Sequence, residues 1–137
     1  MDVYELIRRH EGLRLRPYAD SMGHLTIGYG RALDIVGISR EEAEAMLRAD
    51  VERAREALKA LEWFGGLDDA RSAALIDMAF NLGGAGLGGF SRFLDAMKRR
   101  DFGAAAREML DSKWAGQVGG RARELAAMIR TGRWPQR

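Results

Sequence analysis

The hydrophobic pattern of this chain changes period twice, and that limits the possible folds more than any other feature. Val3, Leu6 and Ile7 recur at helical spacing behind Asp2, a natural N-cap, so residues 3–11 read as a short amphipathic helix ended by Gly12. From Leu13 the period is two. Leu13, Leu15, Pro17 and Tyr18, then a turn near 20–23, then Leu25, Ile27 and Tyr29 alternate with polar or small residues. That predicts a small hairpin or three-stranded sheet. Helical spacing returns after the capping box Ser39-Arg40-Glu41-Glu42, with Ala43, Met46, Leu47, Val51, Ala54 and Leu58 on one face to about Leu61. Such a helix is about 30 Å long, enough to join two lobes. Residues 68–81 form a further helix, apolar in its second half, which LGGAGLGG breaks. Shorter helices are expected at 90–98, 102–111 and 120–131. The class is α+β: a small β-containing lobe over about 12–38, a linking helix over 39–61, and a helical lobe over 62–137 that includes helix 1–11. A cleft is expected between ribbon and helical lobe.

Composition narrows the chemistry. The 137 residues are 47% hydrophobic, enough for a real core, and contain no cysteine, so disulfides and thiolate metal sites are excluded. His10 and His24 are the only histidines and lack carboxylates at zinc-site spacing, so neither metal nor cofactor is implied. LGGAGLGG has no Gly-Lys-Ser/Thr ending and no preceding strand, so it reads as a helix–helix turn rather than a phosphate loop. No apolar run approaches membrane-spanning length, and stable membrane insertion is not expected. The opening MDVYELIRRHEG has the pattern of neither a secretory signal nor a transit peptide. Charge is uneven. Residues 1–88 carry 11 basic and 15 acidic side chains, residues 89–137 carry 11 and 5. The basic end is either plain solvated surface or a face for a polyanion.

Three residues stand out as chemistry. Glu11 lies in the last turn of the first helix, where the dipole and partial burial favour the protonated acid that a glycosidic oxygen needs. Asp20 lies on the polar ribbon, where it can stay ionised and orient a water. Thr26 offers a hydroxyl to the same water. Two carboxylates in different environments divide acid and base work. The plainer readings are an exposed or paired glutamate and a turn aspartate.

The stretch EGLRLRPYAD…LTIGYG resembles the catalytic signature of the phage-type lysozymes, the endolysins of glycoside hydrolase family 24: Glu, eight residues, Asp, five residues, Thr, then a Gly-rich ribbon. ALIDMAFNLGGAGLGGF (74–90) looks like the family's central helix and the turn after it, and SKWAGQVGGRARELAAMIRTGRW (112–134) like its C-terminal signature. The likeness covers nearly the whole chain and is greatest to the phage T4 branch. It implies a lysozyme-like fold and a muramidase that cuts the β-1,4 bond between N-acetylmuramic acid and N-acetylglucosamine. Glu11 would be the general acid, with Asp20 and Thr26 positioning the attacking water for inversion. Arg121 matches the arginine that pairs with the catalytic glutamate, a cation that would oppose protonation of the acid. Phe80, Phe93 and Glu108 match positions lining the sugar cleft, although Phe80 reads equally well as core, and Trp114 reads as core rather than as a sugar platform. The chain departs from the pattern at Arg31, where the family has histidine, at Ala32, where it has a cleft leucine, and in a shortened segment at 33–37. Asp68 or Asp69 is the expected ion-pair partner of Arg31.

The resemblance further implies peptidoglycan glycan strands as the partner, a monomer, and accumulation in the host cytoplasm until a holin opens the way to the periplasm and wall. Two other readings remain at this level. One is a non-catalytic wall-binding protein of the same fold. The other is a nucleic-acid-binding protein using Arg121, Arg123, Arg130 and Arg133, against which Ala122, Leu125, Ala126 and Ile129 form a packing face instead.

Overall fold

The first helix, α1 (Val3–Glu11), starts where the sequence places it because Asp2 and Glu5 cap it reciprocally. The Asp2 carboxylate accepts from the Glu5 N–H at 2.8 Å, and the Glu5 carboxylate accepts from the Asp2 N–H at 2.8 Å. A computed structural model of the chain describes residues 1–136. In it the chain divides into two units, Met1–Met46 and Leu47–Arg137, with the boundary inside the long helix.

The first unit holds α1, a three-stranded antiparallel sheet and two helical segments. Strands β1 (Arg14–Ala19), β2 (Leu25–Gly28) and β3 (Arg31–Ala32) pair in the order β1-β2-β3. Tyr18 faces Thr26 across β1 and β2, and Thr26 faces Ala32 across β2 and β3. The β1–β2 register slips between Arg14 and Tyr18, where Pro17 offers no N–H to the ladder. After β3 the shortened segment makes one helical turn, α2 (Leu33–Val36), too short for hydrophobic periodicity to reveal. The next helix, α3 (Arg40–Leu58), opens on the expected box: Ser39 Oγ accepts from the Glu42 N–H at 3.1 Å, and Glu42 Oε1 from the Ser39 N–H at 2.9 Å.

The second unit contains the rest of α3 and five more helices: α4 (Asp69–Gly88), α5 (Ser91–Lys98), α6 (Phe102–Leu110), α7 (Lys113–Val118) and α8 (Gly120–Thr131). Helix α4 breaks inside the glycine cluster, as the sequence predicts. The helix kinks at Gly83 alone (φ 76°, ψ 164°) and resumes to Gly88. Helix α7 also went unread, because its six residues hold too few apolar positions to show a period; Ser112 caps it by accepting from the Ala115 N–H. The core is built from Leu58, Leu75, Met78, Phe93, Met97, Met109 and Ile129, all nearly inaccessible. Phe90 joins it by edge-on contacts with Phe93 and Trp114. Among the described residues no single helix is long and apolar enough to cross a membrane.

One side chain fastens α4 to α8. Arg71 donates from Nε to the Ile129 carbonyl at 2.6 Å and from Nη2 to the Arg130 carbonyl at 3.1 Å, satisfying carbonyls at the α8 terminus. Its guanidinium also pairs with Asp68 at 2.9 Å and lies 3.7 Å from the centre of the Phe102 ring. Gly132 completes the arrangement, since a Cβ there would stand 2.8 Å from Arg71 Nη1 and its φ is +68°. Replacing Arg71 by methionine keeps the stem and deletes these bonds. We expect Arg71→Met to lower unfolding stability by about 2–3 kcal/mol in denaturant titrations.

Candidate active site

Glu11, Asp20 and Thr26 all lie within the first unit. Glu11 is the last residue of α1 and is exposed rather than partly buried. Its carboxylate rests on the backbone of Gly30. A Cβ built at position 30 would overlap Glu11 Oε2 and stand 2.8 Å from its Cδ, and Gly30 has φ +80°. The backbone conformation therefore calls for glycine here, and a Cβ would in addition push the Glu11 carboxylate aside. Sequence reasoning did not single out this neighbour, although the glycine of Gly28-Tyr29-Gly30 was its visible trace.

Asp20 is a turn aspartate, as the plainer reading had it, and this same role orients it. Its Oδ1 accepts from the Met22 N–H at 2.9 Å and the His24 N–H at 2.8 Å, while its own N–H donates to the His24 carbonyl at 2.9 Å. Among the described residues Oδ2 has no hydrogen-bond partner, so it is left to accept from a ligand or water. Thr26, in β2, is 2% exposed and is the one buried polar residue among those described. Its hydroxyl donates to the His24 carbonyl at 2.9 Å, which leaves the oxygen lone pairs to accept. The backbone of His24 thus joins a carboxylate and a hydroxyl in one small frame.

Two ion pairs brace the ribbon. His24 Nδ1 lies 3.0 Å from Asp34 Oδ2 in α2, and this hydrogen bond raises the imidazole pKa above 6.5 and lowers that of Asp34 below 3.8. Arg31 Nη2 lies 2.5 Å from Glu42 Oε2 in α3. Glu42 is therefore the partner of Arg31, in place of the expected Asp68 or Asp69; Asp68 is paired with Arg71. Arg31, and next the Ser39 N–H, hold the Glu42 carboxyl down at about 2. A depressed carboxyl stabilises the fold above its unfolded value of 4.5, and that contribution is lost as pH falls through about 2. Acid denaturation followed by circular dichroism should show Arg31→Gln losing this dependence and unfolding at higher pH than the native chain.

The residues expected to bind sugar fall out unevenly. Phe80 is 42% exposed, which decides between its two readings in favour of an accessible ring. It lines a cavity of about 400 Å³ with Val51, Ile76, Asp77 and Arg121. Phe93 packs in the core at 1% exposure and lines, with Glu108, one side of a shallow groove. Glu108 is half-buried beside a groove of about 360 Å³ with Arg92, Asp111 and Ser112. Ala32 is half-buried at the end of β3. Trp114 is core, and its Nε1–H donates to Asn81 Oδ1 at 2.8 Å. Arg121, which the resemblance pairs with the catalytic glutamate, is instead paired with Asp77, at 2.8 Å from Nε and 2.6 Å from Nη2. The α8 residues Ala122, Leu125, Ala126 and Ile129 are buried, so the packing face that opposed a nucleic-acid reading is real. Among the described residues no three His, Cys, Asp or Glu side chains come together as metal ligands.

Comparison with known proteins bears on the same residues. The chain is 30% identical to the pre-baseplate central spike protein Gp5 of Enterobacteria phage T4, over 96% of the chain but only 28% of the spike protein's length. It is 32% identical to an endolysin of Acyrthosiphon pisum secondary endosymbiont phage 1, over 91% of the chain and 86% of that protein. It is 24% identical to probable T4-type lysozyme 1 of Dictyostelium discoideum, over 95% and 94%. The family model described as phage lysozyme matches residues 8–131, a span that begins just before Glu11 and runs to the end of α8. With Glu11, Asp20, Thr26 and the helices from α3 to α8 all inside that match, this chain belongs to the phage lysozyme family.

Proposed function

We propose that the chain is a muramidase that cleaves the β-1,4 bond between N-acetylmuramic acid and N-acetylglucosamine in peptidoglycan. The observation that carries this is the division of roles within one unit: an exposed carboxyl on Glu11 seated over Gly30, and a free Asp20 oxygen framed with Thr26 by the His24 backbone. Glu11 donates its proton to the leaving oxygen. Asp20 and Thr26 each accept a hydrogen bond from a water, whose oxygen attacks the anomeric carbon from the opposite face and inverts it as the leaving-group bond breaks, Asp20 taking the proton the water loses. The basic surface of residues 89–137 draws the enzyme to the anionic wall, with affinity falling as salt rises. Acting as an endolysin, a monomer released by a holin, it reaches the wall from the host cytoplasm.

The experiment is digestion of purified sacculi by the full chain, reading new reducing ends, free amino groups and the first anomer formed. Reducing ends with the inverted anomer support the reading. Free amino groups without reducing ends would replace it with an amidase or endopeptidase, and retention would overturn the water-attack mechanism.

A further inference from the structure

The turn that carries Asp20 is fastened to the rest of its unit at one side-chain point. Residues 20–24 close on themselves through backbone bonds and the Asp20 carboxylate. Among the described residues, the only side-chain hydrogen bond from this turn to an element outside the β1–β2 hairpin is His24 Nδ1 to Asp34 Oδ2, at 3.0 Å. His24 is also the residue whose N–H holds Asp20 and whose carbonyl holds the Thr26 hydroxyl. A pull on the imidazole is therefore transmitted to both water-facing groups through one peptide unit on each side.

We propose that Asp34, acting through the imidazole of His24, is a positioning residue that holds Asp20 and Thr26 in their working geometry. This rests on the muramidase reading above and extends it to how the site is regulated. The pair is half-exposed, at 37% and 49%, so it adds little to global stability and its effect is local. The charged groups facing the imidazole are Asp34 on α2 and Asp20 on the turn itself, both anionic, and both favour the imidazolium. The histidine contribution is complete below 6.5 and is lost as pH rises through its raised value. The Asp34 contribution is complete above 3.8 and is lost as pH falls through its lowered value. Between those limits both partners are charged; above them the imidazole is neutral and the weaker bond rests on the carboxylate charge alone.

The test uses the full chain with Asp34→Asn, Asp34→Glu and His24→Gln. Hydrolysis of soluble glycan fragments is followed from about pH 5 to about pH 9 at fixed ionic strength, and the His24 titration is followed by NMR. We expect Asp34→Asn to lower kcat about three- to tenfold near pH 6 with KM within about twofold of native. The gap narrows toward pH 9, where native His24 is neutral. Asp34→Glu restores most of the loss, and the His24 pKa in Asp34→Asn falls back toward 6.5. His24→Gln, which also assigns the signal against His10, shows a kcat profile lacking the native inflection. A native kcat–pH profile in Asp34→Asn, or a loss that is uniform in pH and not rescued by glutamate, would overturn the proposal. Should the native chain release no reducing ends, the muramidase reading fails by itself. The amide shifts of residues 20–26 then still judge the fastening: movement in Asp34→Asn supports it, and unchanged shifts refute it.

Discussion

Glu11→Gln should fold like the native chain and release reducing ends from peptidoglycan about a thousandfold more slowly, or not measurably. The substitution keeps the shape of the side chain and removes the proton that the proposed mechanism delivers to the leaving oxygen. Because Glu11 is exposed and makes no side-chain hydrogen bond among the described residues, the isosteric amide keeps its place over Gly30 and thermal unfolding should be unchanged. Clearing of outer-membrane-stripped Gram-negative cells gives the same comparison in a simpler form. Equal clearing by native and variant chains would remove Glu11 from the mechanism.

Gly30→Ala should have the next largest effect. An added methyl occupies the position of Glu11 Oε2, and the carboxylate must swing away because the other partner in the clash is backbone. Displacing a reacting atom by about 1 Å costs on the order of a hundredfold in rate. The loss should fall on kcat rather than KM, since Gly30 is placed to seat the acid and not the substrate. Backbone strain at φ +80° adds about 1 kcal/mol of instability, which by itself is no measure of the site. Gly37→Ala separates the two effects: it has φ +65° and nothing within 4 Å of a built Cβ. We expect it to match Gly30→Ala in stability while keeping most of its activity. Similar kcat losses in both variants would mean that strain, not the seat of Glu11, had been measured.

The local elements were legible because their causes are local. The boxes at Asp2–Glu5 and Ser39–Glu42, the period-two stretch and the stop at Gly132 each depend on residues within a few positions of one another. The spacing of Glu11, Asp20 and Thr26 was equally legible, since a helix end and a hairpin turn place them. What the sequence pattern does not show is short: the one-turn α2, the six-residue α7, and the helical stretch that follows the break at Gly83. Periodicity needs more residues than α2 and α7 supply, and composition does not tell a helical glycine from a kinked one.

The pairing of side chains was beyond the sequence. Arg31 could be seen as a cation needing a carboxylate, but Glu42 rather than Asp68 is what β3 and α3 bring to it. Phe80 and Phe93 look alike in composition, yet one is accessible and the other sealed beneath Phe90. By itself the sequence determined the element types, the three candidate residues and their spacing, because these follow from backbone propensity and short-range order. Only the tertiary structure decided that Glu11 is seated on Gly30, that His24 frames Asp20 with Thr26, and that Asp34 holds His24. Those contacts depend on how strands and helices meet in space, where a difference of one residue in register would send the same side chain to a different neighbour.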